Sequence, residues 1–217
     1  MNLNFKNKIV LVVGGSSGIG LEIVKQFYDS GATVFICSRN PPTDLSYGFY
    51  IACDVKEEGS VKSMVQEVVD RESKIDILVN SMGITGTDKV ENISLSKWKN
   101  IIDTNLTGVF LTCREVIPVM KKNKSGKIVN IASLAGRFRS ATSGAHYVAS
   151  KAAVIGFTRQ LASEVISYGI NVNAVCPSQT LTPMLQRAVS KEKIEQLESN
   201  IPIGRLATVG EQSNPIL

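Results

Sequence analysis

Short apolar runs alternate along this chain with longer stretches in which apolar positions recur at helical spacing. Lys8–Val13, Thr33–Cys37, Phe49–Cys53, Ile75–Val79, Lys127–Ile131 and Ile170–Val175 are rich in β-branched and aliphatic residues and predict strands. Between them, Gly18–Ser30 repeats Ile19, Ile23, Val24 and Phe27 on one face and is stopped by Gly31. Glu57–Glu72 turns Val61, Met64, Val65, Val68 and Val69 inward. Leu106–Lys122, with a kink expected at Pro118, and Ala145–Ser167 are two long helices. Apolar strands alternating with amphipathic helices predict a parallel sheet covered on both faces. With no repeat and no linker in view, residues 1–217 are expected to form one domain. In such sheets ligands bind beyond the carboxyl ends of the strands, so chemistry is expected there.

Composition narrows the setting. The chain has 217 residues, 43% hydrophobic and 20% charged, which suits one α/β domain with a sizeable core. No apolar run approaches the roughly 20 residues that span a bilayer. The polar stretch Met1–Lys8, with only a short apolar run after it, predicts no signal peptide and a cytoplasmic protein. Net charge is +5, but the lysines are spread out and interleaved with acids, which argues against nucleic acid. Attraction for an anionic ligand, either a phosphorylated cofactor or an acidic substrate carrier, accounts for the excess. Lys121, Lys122, Lys124 and Lys127 form the densest cluster, at the polar end of a helix, and are compatible with such a carrier. Cys37, Cys53, Cys113 and Cys176 form no Cys-x-x-Cys pair and read as free thiols, with no metal site expected.

The first predicted strand runs into Gly14-Gly15-Ser16-Ser17-Gly18-Ile19-Gly20, and a helix follows. That is the context a dinucleotide loop requires. Gly14 permits the tight turn, Gly18 the approach of the pyrophosphate, Gly20 the packing of helix on strand, and the helix start offers free amides. An ordinary glycine turn is the alternative. The second strand ends in Ser38-Arg39. An acid there would favour NAD, whereas arginine suits a 2′-phosphate, so NADP(H) is favoured over NAD(H). A solvated surface arginine is the competing reading.

Tyr147-Val148-Ala149-Ser150-Lys151 lies in a helical stretch, so Tyr147 and Lys151 share one face. Tyrosine titrates near about 10 and needs a neighbouring positive charge to exchange protons near neutrality. Lys151 is expected to supply part of that charge. The pair alone is common by chance, but Ser133 ends the fifth strand and Asn105 opens Asn105-Leu106-Thr107-Gly108 before a long helix. The set also includes Asp54-Val55, Asn80-Ser81-Met82-Gly83, and Pro177 through Thr182. In this order it closely resembles the classical short-chain dehydrogenase/reductase family, notably its 3-oxoacyl-acyl-carrier-protein reductase-like members. The resemblance covers essentially the whole chain.

It implies a Rossmann-type, doubly wound, three-layer α/β/α fold and an NADP(H)-dependent interconversion of a carbonyl and a secondary alcohol. Tyr147 would be the general acid and base. Lys151 would hold the nicotinamide ribose, Ser133 the substrate oxygen, and Asn105 a water linking Lys151 to solvent. The cofactor would lie along Gly14, Ser16, Ser17, Gly18, Ile19 and Gly20. Ser38 and Arg39 would serve its 2′-phosphate end, Asp54 and Val55 its adenine, and Asn80 and Gly83 its adenosine side. Pro177, Thr180 and Thr182 would line the nicotinamide. The substrate is a small carbonyl or alcohol compound, carrier-bound in one version. A non-catalytic, dinucleotide-sensing protein on the same fold is the reading from a second class.

The chain also departs from the family. Val13 stands in place of threonine, and Ser81 and Met82 in place of asparagine and alanine, so an apolar Val13–Met82 contact is expected instead of hydrogen bonds. Ser178 replaces glycine, and Pro41-Pro42 with Gly48 predicts a loop where relatives carry a helix. Glu211–Leu217 reads as the start of a helix that relatives continue into a seventh strand. A homodimer is expected through the two long helices, with Val109, Phe110, Val116, Val154, Phe157, Leu161 and Val165 as apolar candidates. A tetramer is expected only where the seventh strand exists. His146 points away from its catalytic neighbour and is given no role, Trp98 is expected to pack a helix, and Arg137-Phe138-Arg139 is left between pocket rim and solvated surface.

Overall fold

All six apolar runs form strands, and they pair side by side in one direction. The computed structural model describes residues 4–217, so the first three residues of the polar N-terminal stretch lie outside it. The strands are β1 (Ile9–Val13), β2 (Thr33–Ser38), β3 (Phe49–Ala52), β4 (Ile77–Asn80), β5 (Gly126–Ile131) and β6 (Ile170–Val175). They form a fully parallel sheet in the order β3-β2-β1-β4-β5-β6. The direction of winding reverses between β1 and β4, which opens a crevice at their carboxyl ends. β4 begins at Ile77, later than the apolar run, and the Asp76 carboxylate before it accepts a bond from the Ile9 amide and pairs with Lys74.

Alternation along β1 divides the core. Ile9, Leu11 and Val13 face one layer with α2 (Glu58–Glu72), α4 (Gly108–Asn123) and α5 (Ala145–Val165). Val10 and Val12 face the other, with α1 (Gly18–Asp29) and the C-terminal Ile216. In α1 the buried positions are Gly20, Ile23, Val24 and Phe27, one continuous stripe, and Gly31 at φ +89° ends the helix in a conformation that suits glycine. The segment expected to begin a helix ends as a short last helix, Val209–Ser213, and a turn, Asn214–Ile216, packed beside α1.

Three expectations change. The helix predicted from Leu106 belongs to a run that starts at α3 (Leu95–Ile102) and passes through one π-helical turn, Asp103–Thr107, into α4. Asn105 therefore sits inside helical structure, not ahead of it. α3 escaped notice because it buries only Ile101, too little for an apolar stripe, and Trp98 on it remains 38% exposed. Five of the seven candidate interface residues, Val109, Val116, Val154, Leu161 and Val165, are buried against this chain's own sheet. Phe110, 42% exposed and edge-on to Phe157, is what the helix pair leaves outside. α4 runs unbroken through Pro118, and 39–48 is a loop as predicted. No helix among the described residues is long and apolar enough to cross a membrane.

Candidate active site

The carboxyl ends of the strands surround a cavity of about 600 Å³. Its first wall is the turn from β1 into α1. Gly14 has φ +85°, and a Cβ there would stand 2.5 Å from the Met82 amide nitrogen, so the turn fits only without a side chain. A Cβ on Gly20 would meet the Gly14 carbonyl oxygen at 2.2 Å, which is how closely α1 packs on the turn. Ser17 precedes α1 but makes no side-chain capping bond, which leaves the helix start open for an anion. Gly14, Ser16, Ser17, Gly18, Ile19 and Gly20 all line the cavity, a cradle that fits a dinucleotide pyrophosphate. Val13 and Met82 lie in the same apolar cluster, and the Ser81 amide donates to the Val13 carbonyl at 2.7 Å, tying the two loops through backbone.

At the ends of β2 and β3 the wall is Ser38, Arg39, Asp54 and Val55. Arg39 is exposed and makes no ion pair among the described residues. Asp54 braces its own turn by accepting from the Lys56 amide. Cys53, read from sequence simply as a free thiol, also lines this end. A hydrogen bond with Cys37 holds its pKa down to about 7, against the opposing effect of burial, and the Cys37 thiol is raised in return.

The middle of the cavity carries the reactive side chains. Ser133 leaves β5 and caps a short turn, Leu134–Gly136, that packs closely on α5. α5 then presents Tyr147 and, one turn on, Lys151, and all three line the cavity. Burial pushes the Tyr147 phenol above its ordinary range, and hydrogen bonding with Ser133 partly offsets this. In the folded chain by itself burial dominates. Lys151 is buried, and its Nζ donates to the Ile131 carbonyl at 2.7 Å. Burial brings its pKa down to about 8.

Two predicted site residues do not touch the cavity wall. Asn80 is fully buried and lies directly across from Asn130 in the β4–β5 register. It donates to Asn130 Oδ1 at 2.9 Å and accepts from Thr112 at 2.8 Å, while Asn130 donates to Thr158. Its side chain thus bolts the sheet to α4 and α5, and after β4 the cavity is lined by Ser81, Met82 and Gly83 instead. Asn105 is also buried. Its amide brackets Ile84, donating to the carbonyl and accepting from the N–H, and donates to Ser150, which in turn donates to the Tyr147 carbonyl. A Cβ on Gly83 would lie 3.5 Å from both Asn105 Oδ1 and Lys151 Nζ, so these two groups converge on bare backbone.

Beyond Tyr147 the wall is formed by two loops. The Thr85 hydroxyl donates to Ser143, and the Gly144 amide to Gly86, closing the β4 loop against the start of α5. Pro177, Thr180 and Thr182 line the side after β6, and Thr182 caps α6 (Pro183–Ala188). Phe138 and Arg139 line the cavity but Arg137 does not. Gln179, Met184, Leu185 and Arg187 were missed, because nothing in their spacing marks them as chemistry. His146 is buried against Gly86 and Gly144, away from the cavity, and its Nδ1 has no partner among the described residues.

Residues 8–193 match the family described as short chain dehydrogenase. The chain is 40% identical to the 3-oxoacyl-(acyl-carrier-protein) reductase FabG of Chlamydia pneumoniae, over 96% of this chain and 87% of that protein. It is 37% identical to a 3beta-hydroxysteroid dehydrogenase of Mediterraneibacter gnavus, over 89% of this chain and 74% of the other. Among solved structures it superposes with a TM-score of 0.89 and 32% identity on an actinorhodin polyketide ketoreductase with NADPH, covering 96% of this chain and 88% of that one.

Proposed function

This chain belongs to the short-chain dehydrogenase family, and on that premise we propose that it is an NADP(H)-dependent oxidoreductase interconverting a ketone and a secondary alcohol, with Tyr147 as general acid and base. The observation that carries the reading is Tyr147 and Ser133 on one cavity wall, with the buried Lys151 one helical turn from the tyrosine. Arg39, exposed at the end of β2 and in no ion pair among the described residues, supports the choice of NADP(H), as does the NADPH in the polyketide ketoreductase structure.

The nicotinamide, when bound, supplies or accepts the hydride. The chain's own residues handle the oxygen and its proton. Ser133 donates a hydrogen bond to the substrate carbonyl, which polarises it. Tyr147, kept protonated at rest by burial, gives its proton to that oxygen as charge builds there. Lys151, fixed by the Ile131 carbonyl, stabilises the phenolate left behind, and with a pKa near 8 it can pass a proton on at physiological pH. Asn105 is a positioning residue that acts through Ile84 and Ser150, setting the first turn of α5. On this reading the exposed Phe110–Phe157 contact is the seam of a homodimer in the cytoplasm.

Following NADPH absorbance with 3-oxoacyl thioesters, steroid ketones and sugar ketones tests the reading. Steady turnover is expected with NADPH, and much slower turnover with NADH. Tight NADPH binding without turnover anywhere in the panel would favour the dinucleotide-sensing alternative instead.

A further inference from the structure

Two loops of the cavity wall meet around a side chain that stands behind them. The loop after β4 and the loop before α5 are joined twice. The Thr85 hydroxyl donates to Ser143 at 3.2 Å and, one residue further along each loop, the Gly144 amide donates to the Gly86 carbonyl at 2.7 Å. Thr85 and Ser143 line the cavity, and Gly86 and Gly144 lie behind them. Behind the glycines sits His146, the second residue of α5 and only 1% exposed. A Cβ on Gly86 would stand 2.6 Å from His146 Nε2, and one on Gly144 would stand 2.8 Å from its Cε1. The imidazole therefore rests on bare backbone at both loops, and neither could carry a side chain there without displacing it. The same Cβ on Gly86 would lie 3.3 Å from Ile101 Cδ1, so α3 backs the contact.

The fold makes little use of the ring's polarity. His146 Nδ1 is buried with no hydrogen-bond partner among the described residues. Asp88, two residues after Gly86, pairs with Lys97 of α3 at 2.9 Å. A buried nitrogen with its bond unmade lowers stability, and an apolar side chain of the same size would avoid that loss. What the ring supplies to the two loops is its thickness. Tyr147 follows His146 directly, and Ser143 stands four residues before the tyrosine.

We infer that His146 is a positioning residue that sets substrate specificity from behind the wall. The thickness of its ring holds the Thr85–Ser143 pair at a set distance from Tyr147, and so limits the bulk of the group beside the substrate carbonyl. The inference rests on the dehydrogenase reading above and adds to it a limit on substrate shape. Removing the ring leaves a gap that the glycine backbone partly refills, because structure around a void relaxes toward it. The Thr85–Ser143 pair then retreats from Tyr147 and the cavity widens. A methyl group added at Gly86 acts the opposite way. It presses on a ring backed by packed structure and drives the pair toward Tyr147.

Rates with NADPH for ethyl acetoacetate, a methyl ketone, and ethyl benzoylacetate, its phenyl counterpart, read the width. His146→Ala should move the ratio of kcat/KM toward the phenyl ketone by about tenfold, the scale of a pocket that gains or loses a carbon atom or two. Gly86→Ala should move it toward the methyl ketone by a similar factor. The double variant should return close to the wild-type ratio, since the new Cβ occupies space the ring has left. His146→Leu, close in volume but without the ring nitrogens, should keep the wild-type ratio. KM should carry the changes, with NADPH affinity constant throughout. A purely structural role would lower the stability of the variants without opposed shifts in preference. Ratios that do not move, that move in the same direction in both single variants, or that the double variant does not recover would each overturn the inference. Calorimetry of the two esters on the NADP+ complex gives the same ratio without turnover. Opposed shifts in binding with no turnover of either ester would remove the dehydrogenase reading and leave the inference standing. Turnover with an unmoved ratio would do the reverse.

Discussion

At the β1–β2 end of the cavity the wall is mostly backbone, and at the β5–β6 end it is mostly side chain. The first end needs Gly14 at φ +85° with no room for a Cβ, and an α1 start whose amides are left uncapped. The second is formed by Phe138, Arg139, Met184 and Arg187, carried on a loop and a short helix that any side chain could occupy. A backbone wall binds what all dinucleotides share and tolerates few substitutions. A side-chain wall can be respecified without disturbing the sheet.

The sharpest test lies between the two ends. Tyr147→Phe should lower turnover by roughly a hundred- to ten-thousandfold, the range for a general acid, while NADPH binding survives. Turnover that persists in the Phe variant would place the acid in the side-chain wall instead. Next comes the backbone wall itself. Gly14→Ala adds strain at positive φ and a clash with backbone, for about 3 kcal/mol of lost stability. For a chain of this size that is a melting temperature lower by roughly 6–12 °C. Gly59→Ala, where nothing lies within 4 Å, is the control and should be neutral or slightly stabilising. Similar melting of the two variants would refute the backbone account.

Arg39→Ala should weaken NADPH by about ten- to a hundredfold and leave NADH unchanged, as expected for one charge-assisted bond. If the unmodified chain binds NADH and NADPH equally, Arg39 belongs to the surface. Asn80→Ala should cost about 1–3 kcal/mol, because it takes the amide donor from the buried Asn130 Oδ1, while Thr112 keeps the Val109 carbonyl. Urea unfolding reads that loss, and NADPH affinity of the folded variant should not move. A loss of affinity without a loss of stability would return Asn80 to the adenosine wall.

The smallest effect is one of pH. The Lys151 pKa falls from 10.5 to about 8 on folding, so between these values the unfolded chain binds the extra proton. Stability therefore rises with pH through that window, and the burial cost is complete below about pH 8. Lys151→Met should flatten the rise between about pH 7.5 and 9.5, a range chosen below the titration of Tyr147, which burial raises and which would act in the opposite sense. A slope unchanged by the substitution would show that Lys151 is not the titrating group.

The same contrast decides what could be read from sequence. Strands and long helices were legible because each buries a continuous stripe, as Ile23, Val24 and Phe27 do on α1. The glycine turn was legible because geometry there leaves one residue type. Tyr147, Ser133 and Lys151 were found through a motif whose order survives along the chain, and the structure brings them to one wall. Asn80 was misplaced because the motif fixes the residue but not the direction of its side chain, and Asn130 across the register captures it. Arg187 and Met184 left no trace, since a cavity lining drawn from a loop and a short helix has no period. The upward shift of Tyr147 was missed because burial is a property of the whole fold.

The π-helical turn at Asp103–Thr107 makes the long helix sensitive to counting. Each residue advances an α-helix by about 100°. The wider turn acts as a one-residue insertion that offsets the phase of α3 against α4. Deleting a single residue there would restore an even pitch and rotate the segment before the deletion by about that angle relative to the segment after it. Asn105 could then no longer bracket Ile84 while α4 kept Thr112 on Asn80. The helix thus works as a phase coupling between the bolt in the core and the groups at the cavity, and length is the property of this segment least free to drift.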